Sequence, residues 1–144
     1  MYSSHIDILL VEDSMDDAGL ALRALAQKNL IDKVLHLRDG DEALEYLFSP
    51  SLIRLPKVIL LDLKMQRIGG IELLRKIKAN DKLRLIPVVV LTSSSEDKDI
   101  AEAYTLGANA YIVKPVNYEN FVATVSDLGV FWVVHNEAPK SKQL

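Results

Sequence analysis

Apolar residues along this chain gather into five short runs, separated by longer stretches with helical spacing. The runs occupy residues 6–11, 33–37, 58–61, 88–91 and 110–113. Three of them are almost uninterrupted aliphatic residues, which is typical of strands that helices cover on both faces. Alternation of strands with helices predicts βαβ units and a parallel sheet. We therefore predict an α/β fold, with a doubly wound sheet of five parallel strands and five helices.

Residues three and four positions apart form apolar stripes in the intervening stretches, which predicts one buried face on each helix. The expected stripes are Ala18, Leu22, Leu25 and Ala26, then Ala43, Leu44, Leu47 and Phe48, then Leu73, Leu74 and Ile77. Ser94 or Ser95 is a candidate N-cap for the fourth helix and Gly107 a candidate stop. Asn117 is a candidate N-cap for the fifth helix.

The fifth predicted helix ends in an unusually apolar segment. Its core stripe contains Phe121, Val125, Leu128 and Trp132. The segment 128–134, LGVFWVV, is apolar on nearly every side, although one face of a surface helix is normally solvated. We predict that it meets a second copy of the chain through Val130, Phe131 and Val134. The alternative is that residues 136–144 cover it, although APKSKQL at 138–144 is expected to be a solvated tail.

Polar side chains stand where four of the predicted strands end. Glu12 and Asp13 follow the first apolar run, and Asp62 follows the third. Thr92 follows the fourth run and Lys114 the fifth. The carboxyl ends of parallel strands lie on one edge of the sheet, where ligands of open α/β folds bind. The sequence therefore predicts that these five side chains share one cleft.

This set of side chains suits phosphoryl transfer. Crowded carboxylates repel one another, and a divalent cation with oxygen ligands, Mg²⁺ above all, relieves that repulsion. Asp62 stands alone after the central run and is our candidate nucleophile toward phosphorus. Lys114 offers a positive charge and Thr92 a hydroxyl for the phosphoryl oxygens. We predict an aspartyl phosphate on Asp62.

Each of these residues also has an ordinary structural interpretation. Asp13 alone would be read as a turn former or helix cap, Thr92 as a helix-capping hydroxyl, and Lys114 as a solvated side chain. Their joint occurrence on four strand ends, in this order, favours a shared site over four unrelated coincidences.

Composition limits the classes of function. The chain of 144 residues, 49% of them hydrophobic, can build one domain with a sizeable core. A net charge of −3 with scattered Lys and Arg disfavours direct binding of nucleic acid. There are no cysteines, no visible signal peptide and no apolar run long enough to span a membrane. We expect a cytoplasmic protein.

Four segments resemble the receiver domain of bacterial two-component response regulators. They are ILLVEDS at 8–14, VILLDLKM at 58–65, VVVLTSS at 88–94 and ANAYIVKP at 108–115. The likeness covers roughly residues 6–135. It implies the flavodoxin-like strand order 2-1-3-4-5 and a single receiver domain over 1–144, without an output domain. It also implies a switch rather than an enzyme acting on a separate metabolite.

The same resemblance assigns roles to the residues of the predicted cleft. It implies that a sensor histidine kinase phosphorylates Asp62, and that Glu12, Asp13 and Asp62 bind Mg²⁺ together with the backbone carbonyl of Lys64. It implies phosphoryl contacts from Thr92 and Lys114, a conformational switch that pairs Thr92 with Tyr111, and a cis bond before Pro115. The less favoured alternative is that Tyr111 is simply a half-buried strand aromatic.

Three further segments are similar to stand-alone receivers that accompany bacterial phytochromes, and they imply a phytochrome-type histidine kinase as partner. These segments are RLPKVILLDLKM at 54–65, RLIPVVVLTSS at 84–94 and GVFWVVHNEAP at 129–139. The chain departs from the family after Asp62, where Gln66 replaces a usual proline and Gly69-Gly70 replaces Asp-Gly. We therefore expect a looser loop before the third helix and an unusual phosphoryl lifetime.

Three other functions are alternatives to the phosphorylation switch. The first is a receiver-like module that binds partners without phosphorylation. The second is an aspartyl phosphatase, which usually has an acid two residues after its nucleophile, where this chain has Lys64. The third is a flavin-binding fold, whose hydroxyl-rich phosphate loop is replaced here by EDSMDDA at 12–18. The chain's own residues favour the switch.

Overall fold

A computed structural model describes residues 5–140 of the chain and confirms the predicted architecture. The sheet contains five parallel strands in the order β2-β1-β3-β4-β5. The strands are β1 (Ile8–Val11), β2 (Val34–Leu37), β3 (Val58–Leu61), β4 (Val88–Thr92) and β5 (Ala110–Val113). The helices are α1 (Met15–Gln27), α2 (Gly40–Leu47), α3 (Gly70–Ala79), α4 (Asp97–Leu106) and α5 (Tyr118–Val130). A short π-helix (Phe131–His135) follows α5 directly.

Apolar side chains pack on both faces of the sheet, as the uninterrupted aliphatic runs predict. All residues of β1, β3 and β4 are buried. Successive side chains of a strand point to opposite faces. Leu9, Ile59 and Val90 therefore join the core under α2, α3 and α4, while Ile8 and Leu60 join the core under α1 and α5. None of the helices in residues 5–140 is long and apolar enough to cross a membrane.

Strand register brings the ends of β1 and β3 to the same level. Val11 lies opposite Leu61, so the next residues, Glu12 and Asp62, emerge side by side at the carboxyl edge. On the other side of β3, the last residue of β4, Thr92, lies opposite Val113 of β5. The parallel pairing therefore builds the cleft that the strand ends predicted.

Two of the predicted helix stripes are wrong at their last residue, which is exposed instead of buried. Ala26 of α1 is exposed, and the buried line of that helix is instead Ala18, Ala21, Ala24 and Leu25. Small alanine side chains allow α1 to pack closely against α5, which rotates the buried face away from Ala26. Phe48 is 49% exposed because it follows the end of α2, and Tyr46 is buried in that helix instead.

Helix ends agree with the sequence at two of three positions. Gly107 ends α4 with a φ of 109°, and the Asn117 side chain accepts a hydrogen bond from the Asn120 amide at the start of α5. The predicted cap at Ser94 or Ser95 is wrong, since Glu96 occupies the N-cap of α4. The helix begins at Asp97, three residues after Ser94, and the Ser94 Oγ accepts a hydrogen bond from the Glu96 amide at 3.3 Å.

Gly129 lies inside α5, where a glycine costs about 1 kcal/mol of helix stability relative to alanine. A Cβ at this position would lie 2.5 Å from Leu25 Cδ2 and 3.1 Å from Leu30 Cδ1. The glycine therefore lets α5 approach α1 more closely than any other residue would allow.

The peptide bond before Pro115 is trans, so the expected cis bond is wrong. Residues 5–140 contain no cis peptide bond. A trans bond is favoured before proline by about 0.5–1 kcal/mol when nothing in the fold opposes it. The Lys114 amide still donates a hydrogen bond of 2.7 Å to the Thr92 carbonyl, which aligns the end of β5 with β4.

The segment after the π-helix returns to the sheet's amino edge. Residues 136–140 line a cavity of about 350 Å³ together with residues 54–57, which precede β3, and residues 85–87, which precede β4. None of residues 136–140 is buried, and Glu137, Pro139 and Lys140 are exposed. The last four residues, 141–144, lie outside the described part of the chain.

Candidate active site

The structure gathers the predicted acids at the carboxyl edge of the sheet. Glu12 and Asp62 are buried, and Asp13 is half-buried beside them. Their backbone is held by the sheet itself, since the Asp62 amide donates to the Val11 carbonyl at 3.1 Å. One carboxylate oxygen from each of Glu12, Asp13 and Asp62 lies within 4.8 Å of the others. Three carboxylates therefore converge on a space of the size that one cation occupies.

Lys114 reaches into this acidic cluster from the end of β5. Its ammonium lies 2.7 Å from Glu12 Oε1, 3.3 Å from Asp62 Oδ2 and 2.7 Å from Asp17 Oδ2. Asp17 was missed at the sequence level, because it lies in the first turn of α1 beside a second acid, Asp16, and no spacing in the sequence marks it as a neighbour of Lys114. Lys114 is thus an internal counter-ion for three acids.

Burial and neighbouring charges shift the pKa values of Glu12 and Lys114, whose side chains are 2.7 Å apart. Burial, followed by the neighbouring Asp62 carboxylate, raises the pKa of Glu12 to about 7, although Lys114 opposes the shift. Burial alone would lower the pKa of Lys114, but its hydrogen bonds to Asp17 and Glu12 outweigh that effect and raise it. Lys114 therefore stays charged at neutral pH, whereas Glu12 loses its proton close to pH 7.

Thr92 presents the one buried side-chain oxygen or nitrogen without a hydrogen-bond partner among residues 5–140. Its Oγ1 belongs to a residue with no exposed surface at the end of β4, beside the acidic cluster in the sheet order. Leaving a buried hydroxyl unpaired costs about 1–3 kcal/mol. Such groups are rare in folded proteins and call for an explanation, such as a bound group.

Tyr111 is connected to the loop that follows Thr92. Its hydroxyl donates a hydrogen bond of 2.9 Å to the Ser94 carbonyl, and its ring packs against the core. The Ser94 hydroxyl in turn donates to Asp99 Oδ2 of α4 at 2.5 Å. Burial raises the pKa of Tyr111, which keeps the hydroxyl protonated. Tyr111 is half-buried, and its hydroxyl holds the β4–α4 loop through the Ser94 carbonyl.

The loop between Asp62 and α3 is tied to the acids by its backbone. The Lys64 amide donates to Asp62 Oδ1 at 3.1 Å, and the Gln66 amide donates to Asp13 Oδ2 at 3.3 Å. Gly69 has an ordinary φ of −73°. Gly70 is the glycine that this geometry requires, since a Cβ there would lie 2.4 Å from the Asp62 carbonyl oxygen. The sequence alone did not show which of Gly69 and Gly70 must be a glycine.

Residues 8–126, the part of the chain that contains these strand ends, match the response regulator receiver domain. The chain belongs to the response regulator receiver family. Receiver domains accept phosphoryl groups from histidine kinases, so the phosphoacceptor chemistry predicted from the strand ends fits the family. The binding module that works without phosphorylation is not favoured.

Two curated relatives match this receiver over most of both chains. The probable methanogenesis regulatory protein FilR2 of Methanothrix harundinacea is 40% identical over 134 residues, covering 92% of this chain and 86% of FilR2. The response regulator Rcp1 of Synechocystis is 38% identical over 133 residues, covering 88% of each chain. This receiver is therefore similar in sequence to two regulators over most of their length.

Solved structures support the same relationship. The phosphorylated cyanobacterial phytochrome response regulator RcpA superposes with a TM-score of 0.86 at 36% identity, covering 94% of this chain and 99% of RcpA. The Mn²⁺-bound form of Rcp1 superposes with a TM-score of 0.81 at 37% identity, covering 92% and 97% of the two chains. The predicted likeness to phytochrome-associated regulators is confirmed.

Proposed function

We propose that this receiver is a phosphorylation-dependent switch in which Asp62 takes a phosphoryl group from a histidine kinase. The observation that carries the proposal is the Asp62 carboxylate, fixed at the end of a fully buried strand and 3.3 Å from the Lys114 ammonium. An Asp62 oxygen attacks phosphorus and forms the new P–O bond as the P–N bond to the kinase histidine breaks. The histidine nitrogen keeps that electron pair and gains a proton.

The donor set fits a divalent metal, with Mg²⁺ as our candidate. Glu12, Asp13 and Asp62 supply carboxylate oxygens within 4.8 Å of one another, and Mg²⁺ prefers oxygen ligands. We assign the Lys64 carbonyl as a further ligand. When bound, Mg²⁺ would offset the negative charge of the carboxylates and of the incoming phosphoryl oxygens. The Mn²⁺-bound form of the relative Rcp1 supports binding of a divalent cation by this receiver.

Two side chains of this receiver suit the phosphoryl oxygens. Lys114 supplies a positive charge that its acidic neighbours keep protonated, and Thr92 supplies a buried hydroxyl that has no other partner among the described residues. A phosphoryl group that draws Thr92 would favour one arrangement of the β4–α4 loop over another. Tyr111 holds that loop through the Ser94 carbonyl, so we assign Thr92 and Tyr111 as the switch pair.

The experiment for this proposal is phosphorylation by a small phosphodonor such as acetyl phosphate. With Mg²⁺ present, the intact mass should rise by one phosphoryl group, and the modified peptide should contain Asp62. EDTA should prevent the gain, because the three acids then repel the phosphodonor. A wild-type protein that gains no mass with saturating Mg²⁺ would instead support the phosphorylation-independent binding module. For the natural donor we propose a phytochrome-type histidine kinase, since RcpA is a phytochrome response regulator.

The signal is proposed to leave through contacts with another copy of this receiver. Phe131 is 49% exposed and Val134 63% exposed, although both are large apolar residues. The Phe131 ring meets Trp132 edge to face, with centroids 5.0 Å apart, and Val130 is half-buried beside it. Residues 136–140 line the cavity at the amino edge and leave Phe131 and Val134 exposed, which argues against an intramolecular cover by that part of the tail.

Phe131→Glu is expected to convert the dimer to a monomer in sedimentation velocity. A glutamate at the centre of a symmetric interface meets its own copy, and two like charges would then be buried together. Ile53→Glu is the matched control, since Ile53 is 75% exposed and lies in the loop before β3. It should leave the dimer intact. An identical mass for wild type and Phe131→Glu would contradict the interface.

A further inference from the structure

Lys114 donates hydrogen bonds to two acids of the candidate metal cluster and to one acid outside it. An ammonium group has three N–H donors, and here three carboxylates lie within reach of them: Glu12, Asp17 and Asp62. Glu12 and Asp62 belong to the cluster whose oxygens converge on the candidate metal site, but Asp17 does not. Lys114 therefore competes with a cation for Glu12 and Asp62, while Asp17 can hold the same ammonium at no cost to that site.

Asp17 is well placed to hold the Lys114 ammonium. It lies in the first turn of α1, where its amide donates to the Ser14 side chain at 3.2 Å. Its carboxylate is 34% exposed, whereas that of Glu12 is 4% exposed, so Asp17 contacts Lys114 from the solvent side of the cluster. Both carboxylate oxygens of Glu12 already have hydrogen-bond partners, because Oε1 accepts from Lys114 and Oε2 accepts from the Ser14 amide at 3.1 Å.

We infer that Asp17 is a positioning residue: by holding the Lys114 ammonium, it leaves Glu12 and Asp62 available to the divalent cation. The inference rests on the proposed function, since it concerns the metal of that same site. Without Asp17, the ammonium has only Glu12 and Asp62 as acidic partners among its observed contacts. It would then bind them more closely and oppose the metal with its full charge.

Asp17→Asn is expected to weaken Mg²⁺ binding about tenfold, the lower end of the loss seen when an outer partner of a metal site is removed. Isothermal titration with Mg²⁺ alone measures this without any phosphodonor. Asp16→Asn is the matched control, because Asp16 carries the same charge in the same turn of α1 but is exposed. Its effect should stay below about twofold, since solvent and salt screen an exposed charge. Asp17→Glu should retain most of the affinity.

A double-mutant cycle tests whether Asp17 acts through Lys114. In a Lys114→Met background, adding Asp17→Asn should change Mg²⁺ affinity by less than about twofold, because Asp17 then has no ammonium to hold, and about twofold is the deviation that additive positions also show. An equal loss in both backgrounds would overturn the inference, because Asp17 would then act by its own charge. Equal affinities for wild type and Asp17→Asn would overturn it too. A wild-type protein that does not bind Mg²⁺ would defeat the proposed function itself, which separates the two failures.

Discussion

Asp62→Asn is expected to accept no phosphoryl group while remaining folded. The amide of asparagine is not a nucleophile toward phosphorus, so the mass gain seen with Mg²⁺ and a small phosphodonor should disappear completely. Asparagine has nearly the same shape as aspartate, and the 6% exposed side chain at position 62 therefore leaves no cavity when it is replaced. One charge also leaves a crowded acidic cluster, which removes part of the repulsion among the carboxylates.

Asp13→Asn separates loss of the acceptor from loss of a metal ligand. Asp13 belongs to the same cluster, but we assign it to the cation and not to phosphorus. This variant should need more Mg²⁺ and should still gain one phosphoryl group at saturation. Circular dichroism in EDTA checks that both variants fold. An undiminished mass gain in Asp62→Asn would contradict the assignment and place the acceptor on another residue.

Gly70→Ala is expected to destabilise the protein by about 3 kcal/mol, at the upper end of the cost of overpacking a site. The added Cβ would lie 2.4 Å from the Asp62 carbonyl oxygen and 2.5 Å from Leu63 Cα. Both are backbone atoms next to the phosphoacceptor, so no side-chain rotation relieves the clash. The start of α3 must move, which also breaks the 3.1 Å hydrogen bond from the Gly70 amide to the Leu63 carbonyl.

Gly69→Ala provides the control for this prediction. A Cβ at position 69 would meet only the Leu63 carbonyl oxygen, at an ordinary contact distance of 3.7 Å. Its φ of −73° suits alanine, so the free energy of unfolding should change by less than about 0.5 kcal/mol. Urea denaturation measures both variants, and phosphorylation of Gly70→Ala should be slower because Asp62 is displaced. Equal stabilities for the two variants would show that the loop adapts to the added methyl group.

The sequence placed the strands and the acids well, because both depend on local pattern. A run such as residues 58–61 must be a buried strand, and the residue after it must emerge at the sheet's edge. Asp62, Glu12 and Lys114 were therefore predictable as neighbours before any distance was known. The resemblance added their roles, and the family match confirms the class of protein to which those residues belong.

Other features depend on how elements meet and were missed or wrong. The buried face of α1 is set by its packing against α5, so Ala26 points outward while Ala21 and Ala24 are buried. Asp17 resembled any acid in the first turn of a helix until Lys114 reached it from β5. The Lys114–Pro115 bond is trans, although the family resemblance implied the rarer form.

The sequence by itself determined a parallel α/β fold with Asp62 at a strand end, since the alternation of strands and helices is a local pattern that can be recognised without tertiary contacts. The tertiary structure decided which acids share Lys114 and which of two adjacent glycines the chain requires. The Lys114 ammonium lies 2.7 Å from Asp17, which is 97 residues away, and a Cβ at Gly70 would lie 2.4 Å from the Asp62 carbonyl oxygen. Only the assembled fold, which brings α1, β5 and the start of α3 to the end of β3, sets such distances.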